Sequence, residues 1–167
     1  MALRWVDKFL RWAIHMPHRV FFTLLLLAST GSVSAQQVSL CMAHEQSVFW
    51  CETKAKKFEL CASKDLSASG GYMQYRAGTA GKPVFQFPDP ASHPRGNFEL
   101  GMTAKGTVLT FQNAQTTYEI YEAAAGGATI SVTPEGKASV EIPCKSDSDT
   151  LTLTSTIDWF KMLGAFK

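Results

Sequence analysis

From Val38 onward the chain is punctuated every few residues by turn formers, and this limits its possible folds more than any other feature. Val38 to Ala43, Ser47 to Thr53, Phe58 to Ser63, Gly71 to Ala77, Pro83 to Phe87 and Asn97 to Met102 alternate in polarity or are rich in aromatic and β-branched residues. Thr107 to Gln112, Thr116 to Glu122, Ala128 to Thr133, Lys137 to Ile142 and Thr150 to Thr156 continue the pattern. Such runs are short for amphipathic helices and suit strands, whose side chains alternate between two faces. About ten strands at this spacing predict a mainly β fold, an antiparallel β-barrel or sandwich.

Turn chemistry supports two hairpins. Pro134-Glu135-Gly136 separates two alternating runs between Ala128 and Ile142, with Pro setting φ and Gly accepting a positive φ. A second hairpin spans Thr107 to Glu122 and turns near Asn113-Ala114, with Leu109 and Phe111 sharing a face of one strand and Tyr118 and Ile120 a face of the other. Pro88 to Gly96 carries three prolines and is expected to be a rigid surface loop. Asp158 to Lys167 fits a short amphipathic helix capped by Asp158 or Thr156, with Trp159, Phe160, Leu163 and Phe166 near one face. Ten residues do not hold a helix alone in water, so this face is expected to dock on the barrel or, failing that, on a partner or membrane surface.

Residues 20–28 (VFFTLLLLA) follow Arg19 and precede a small-residue site ending at Ala35, the pattern of a cleaved secretory signal peptide. Nine apolar residues fall well short of the roughly 20 needed to span a bilayer. The functional start is Met1 or Met16, the latter giving a signal peptide of ordinary proportions. The expected organisation is a signal peptide over 1–35, a β-rich domain over 36–157 and the helix over 158–167, in a periplasmic or secreted protein. The formal charge of +2 belongs to the precursor; without residues 1–35 there remain 12 basic and 13 acidic side chains, a net −1. That balance argues against nucleic acid as a partner, since phosphate binding needs clustered Lys and Arg.

Cys41, Cys51, Cys61 and Cys144 all follow the cleavage site, and an even count in an exported chain reads as two disulfides. Spacings of ten without a His pair do not suit zinc, and no Cys-x-x-Cys redox motif is present. A hairpin turning around Lys54 to Lys57 would set Cys51 opposite Cys61, with Val48, Trp50, Phe58, Leu60 and Ala62 on the other face, leaving Cys41 for Cys144. A turn around Gln46 would instead pair Cys41 with Cys51. The first arrangement is the weakly preferred expectation.

No nucleophile elbow, phosphate loop, His-Glu-x-x-His or Ca²⁺ loop occurs, and only His44 and His93 remain in the exported part. No catalytic residue, metal ligand or cofactor is assigned. The most distinctive surface candidate is Ser69-Gly-Gly-Tyr-Met-Gln-Tyr-Arg76, where Tyr72, Gln74 and Arg76 share one face of a strand and are residue types suited to binding. The Pro-rich loop with His93 and Arg95 is the second candidate, because stiff loops lose little entropy on binding.

Ser47-Val-Phe-Trp-Cys51, Phe58-Glu-Leu-Cys-Ala-Ser63, Gly71-Tyr-Met-Gln-Tyr-Arg76 and Pro143-Cys144 together resemble a family of small exported bacterial proteins to which no activity is assigned. The resemblance spans about residues 40 to 145. More loosely, the chain is similar to the periplasmic C-type lysozyme inhibitors, small disulfide-tied antiparallel barrels with a Ser-Gly-x-x-Tyr loop that enters the lysozyme cleft. Here Ser69-Gly70-Gly71-Tyr72 is one residue shorter and precedes an early strand, so the inhibitory residues do not carry over. The resulting expectation is a non-catalytic exported binding or inhibitory protein of unknown target. One alternative is an envelope structural or membrane-surface protein contacting lipid through Trp159, Phe160, Leu163 and Phe166; a small hydrolase is the more distant one.

Overall fold

A computed structural model describes residues 38–79, 81–145 and 152–167. The signal peptide expected over 1–35 lies outside the described residues. Among the described residues, nine strands form two antiparallel meanders. The first contains β1 (Glu45–Glu52), β2 (Lys57–Ser63), β3 (Met73–Thr79) and β4 (Lys82–Ser92). The second contains β5 (Glu99–Thr103), β6 (Gly106–Asn113), β7 (Thr116–Ala123), β8 (Ala128–Pro134) and β9 (Val140–Pro143). The mainly β expectation holds, as do both hairpins: Asn113 pairs with Thr116, and Lys137 N–H donates to Pro134 O at 3.0 Å.

The two sheets share one apolar core. Phe49, Cys51, Phe58, Leu60, Met73 and Tyr75 from the first pack with Leu100, Leu109, Phe111, Ile120 and Ile130 from the second. Leu109 lies opposite Ile120 and Phe111 opposite Tyr118, so alternation places both pairs on the inward face. Aromatic rings bridge the sheets: Phe87 stacks on Phe111 at 4.8 Å and Phe85 on Tyr118 at 5.2 Å. Such contacts add about 0.5–1.5 kcal/mol each beyond their buried area.

Two segments read as strands take other forms. Residues 38–43 form a strap across the outer face of the first sheet. Their backbone groups bond buried side chains instead of a ladder: Leu40 N–H donates to Glu59 at 2.6 Å, Leu40 O accepts from Arg76 at 2.9 Å, and Met42 N–H donates to Glu45 at 2.6 Å. The second is the end of the Thr150 to Thr156 run, which becomes helix α1 (Thr152–Ser155). The buried Glu122 carboxylate accepts from Leu153 N–H at 3.1 Å and from Thr154 N–H at 2.8 Å, satisfying amides that a helix start leaves free.

The Pro-rich segment also differs from the expected loop, since β4 continues through cis Pro88 and cis Pro90 to Ser92. It lies at a sheet edge, where a missing N–H costs no ladder bond. Opposite its bulged middle, Gln74 Nε2 donates to Pro88 O at 2.7 Å.

Helix α2 (Ile157–Leu163) ends at left-handed Gly164. Phe160 and Leu163 are fully buried in the common core, while Trp159 and Phe166 are half-buried against it. Full burial of Phe160 and of Leu163 stabilises by about 1.5–3 kcal/mol each. The tail then pairs with β5: Leu100 N–H donates to Ala165 O at 2.8 Å and Lys167 N–H to Leu100 O at 3.0 Å. The face offered above as a membrane contact is therefore largely spent within the domain.

The disulfides join Cys41 to Cys61 and Cys51 to Cys144, and neither pairing considered from the sequence occurs. The hairpin turns over Thr53 to Lys56, one residue earlier than expected, with the Thr53 hydroxyl accepting from Lys56 N–H at 2.9 Å and donating to Lys56 O at 3.0 Å. That turn sets Cys51 opposite Phe58, and a bulge between Ser47 and Phe49 sets Cys61 opposite Ser47. Cys51 faces inward beside Phe49, Phe58 and Leu60, while Trp50 pairs with Glu59 on the outer face. Cys51 consequently ties the two sheets together, and outward-facing Cys61 tethers the strap.

Candidate functional site

The outer face of β2 and β3, which carries Gln74 and Arg76, is polar and buried beneath the strap. Arg76 is 2% exposed along its side chain and Glu45 0%. Their forked pair has Nη1 to Oε2 at 2.6 Å and Nη2 to Oε1 at 2.7 Å. Two more guanidinium hydrogens go to Leu40 O, from Nη1, and to Gln74 Oε1, from Nε at 2.8 Å. Gln74 and Arg76 thus do not reach the surface, which corrects their reading as contact residues: the strap covers the face on which they stand. Burial alone would raise the Glu45 pKa. Hydrogen bonds from Arg76, Met42 N–H and Tyr72, with the guanidinium charge, outweigh it and hold the carboxyl below its ordinary 4.5.

Tyr72 lies at the edge of this network and is half-exposed. Its hydroxyl donates to Glu45 Oε1 at 2.7 Å and lies 3.0 Å from His44 Nε2. With the phenolic proton committed to the carboxylate, His44 donates from Nε2 to the tyrosine oxygen. Burial, and then the bond to Glu45, raise the Tyr72 pKa.

From Tyr72 the surface continues over one end of the sandwich, where three segments meet: the β2–β3 loop, the connection from β4 to β5, and the chain leaving α2. His93 Nε2 lies 2.9 Å from Ser67 O, and Arg95 N–H donates to His93 Nδ1 at 3.2 Å. These two contacts require the neutral tautomer protonated at Nε2. Arg95 reaches Leu163 O at 3.3 Å and Ala68 O at 3.4 Å. Two glycines make the close approach possible. A Cβ on Gly71 would lie 2.5 Å from Leu66 Cα, and one on Gly164 would lie 2.7 Å from Arg95 Nε. Both also have positive φ.

A cavity of about 540 Å³ adjoins Arg95, with Phe98 and Phe111 among its lining and Asn97, Glu99, Gln112 and Lys167 supplying polar groups. The structure therefore gathers Tyr72, His93 and Arg95 at one end and withdraws Gln74 and Arg76 into the interior. Sequence reading missed the cavity, because its walls come from segments far apart in the chain and no local pattern marks them.

This end offers hydrogen-bond donors, aromatic surface and a cation on a stiff frame. Each imidazole among the described residues already has a partner: His44 bonds a phenol and His93 a backbone carbonyl. Glu59 lies close to Cys41 and Cys61, whose sulfurs are bonded to each other and present no thiolate. No family model matches the chain, and no curated protein or solved structure shows significant similarity to it.

Proposed function

We propose that the protein acts after export, in the periplasm or outside the cell, as a non-catalytic binding or inhibitory protein for another exported protein. Its contact surface is the end that carries Tyr72, His93 and Arg95. One observation carries this reading: the three segments there are bonded to one another before any partner arrives, through His93 to Ser67 O and Arg95 to Ala68 O and Leu163 O. Loops ordered in advance lose little conformational entropy on association, so more of the contact energy appears as affinity. Tyr and Arg are residue types that dominate binding hot spots. The two disulfides fit an oxidising, extracellular-type compartment.

The test is affinity capture from envelope extract with the exported protein, followed by measurement of each captured protein's affinity for loop variants. Arg95→Ala and His93→Ala are expected to weaken the specific partner by about tenfold or more, the loss typical of a hot-spot residue, with the near-ultraviolet dichroism preserved. Failure to capture anything above background, or an affinity indifferent to both variants, would refute the reading.

A further inference from the structure

The opposite end of the first sheet has a different chemistry. The β1–β2 and β3–β4 hairpins lie side by side there, because Lys57 pairs with Gly78 and Thr79 with Lys82. Lys54, Lys56 and Lys82 are exposed on them. The Cys51–Cys144 bridge and the bond from Lys145 N–H to Glu52 O, 2.8 Å, bring exposed Lys145 to the same end. Lys57 Nζ donates to Val38 O at 3.2 Å, and Val38 lies against Gly81 of the β3–β4 turn. Val38 thus lies among these lysines.

Exposed lysines also stand elsewhere among the described residues, but at this end four of them meet with few exposed acids beside them. Among the described residues, the acids of β1 and β2 nearest this end are Glu52, half-buried opposite Lys57, and Glu59, buried and bonded to the strap. Asp147 and Asp149 lie outside the described residues. Exposed acids stand elsewhere: Glu99, Glu119 and Glu141 form a row, in register with Thr110 and Ser131, on the outer face of the second sheet. Two apolar side chains project beside the lysines, Val38 at 55% and Val84 at 74% exposure. Val84 is the extra residue of a bulge, unpaired between Pro83, which faces Gly78, and Phe85, which faces Ala77.

We propose that this lysine-rich hairpin end is a docking surface for an anionic lipid bilayer. Clustered lysines attract anionic headgroups within a Debye length, and small exposed apolar side chains beside them enter the interfacial layer. Exposed Val38 and Val84 beside the lysines favour a membrane over a soluble polyanion, since an interfacial layer accepts apolar side chains and a polyanion in water does not. In this orientation the loops around His93 and Arg95 point away from the lipid. The inference rests on the placement of the lysines and of exposed Val38 and Val84 and is independent of the binding reading above.

The experiment uses protein recovered from the exported fraction and vesicles of phosphatidylcholine, alone or with about 30 mol% phosphatidylglycerol. Partitioning is expected to be at least about tenfold stronger on the anionic vesicles and to fall steeply between about 50 and 500 mM salt. Lys54→Glu/Lys56→Glu/Lys82→Glu should lower it by about a hundredfold or more. Val84→Ser should lower it a few fold. Lys137→Glu/Lys161→Glu, which adds negative charge away from this end, should retain most of the binding. Equal partitioning on neutral and anionic vesicles, none on either, or an equal loss in the Lys137/Lys161 variant would overturn the proposal. The lipid and salt comparisons on the unaltered protein decide it even if the triple variant folds poorly.

Discussion

Removing Glu45 while leaving Arg76 in place is the sharpest test of the buried network beneath the strap. In Glu45→Ala the guanidinium keeps Leu40 O and Gln74 Oε1 but loses both bonds to the carboxylate, in a site where its side chain is 2% exposed. Breaking a buried pair from one side costs about 3–5 kcal/mol, because the surviving charge is left unpaired away from water. Domains of this size have about 5–15 kcal/mol in all, so the loss is a large fraction of the total. It should lower the melting temperature by roughly 10–20 °C. Denaturant titration followed by tryptophan fluorescence, with disulfides intact, measures it. The double variant Glu45→Leu/Arg76→Met should recover about 2 kcal/mol or more of the summed single losses, since neither charge remains. Because the folded carboxyl titrates below its ordinary 4.5, its contribution is complete above that value and is lost as pH falls through the folded pKa. Glu45→Gln should therefore flatten part of the acid limb of stability. A Glu45→Ala loss under about 1 kcal/mol, or strict additivity in the double variant, would refute the reasoning.

Removing the bridge between Cys51 and Cys144, 93 residues apart, should cost roughly 4.5 kcal/mol, against roughly 3 for Cys41–Cys61, 20 residues apart; paired Cys→Ser variants in urea should show that order. Non-reducing peptide mapping should recover these two pairings and no Cys51–Cys61 peptide. Glu122→Ala should cost about 2 kcal/mol or more and speed hydrogen exchange at Leu153 and Thr154, whose amides lose their acceptor; unchanged exchange would count against the capping role. In alkaline spectrophotometric titration of the folded protein, Tyr72, Tyr75 and Tyr118 should ionise above the ordinary value of 10, because burial raises all three.

Most strands were legible in the sequence because alternation is local: Leu109 and Phe111 declare an inward face without reference to any other part of the chain. The Pro134-Glu135-Gly136 turn and the amphipathic end were legible for the same reason. Strand pairing was less so. Cys51 pairs with Phe58 and not with Cys61, and because those two β2 residues are an odd number of positions apart, Cys51 and Cys61 stand on opposite faces and both disulfides change. Residues 38–43 have a strand's composition, but Glu45, Glu59 and Arg76 take their backbone bonds. The candidate site was legible only in part: Tyr72, His93 and Arg95 do lie at one end, whereas Gln74 and Arg76 went inside because a separate segment covers them.

By itself the sequence determined a β-rich, twice-bridged domain, since period, turn residues and cysteine count are properties of short stretches or of the whole composition. Tertiary structure alone decided which cysteines meet, which polar residues are interior, and that four exposed lysines gather at one end of the first sheet and bonded loops at the other. These outcomes depend on contacts between residues 20 to 90 positions apart. A shift of one residue in strand register reverses the face on which every side chain stands, and no local pattern records that choice.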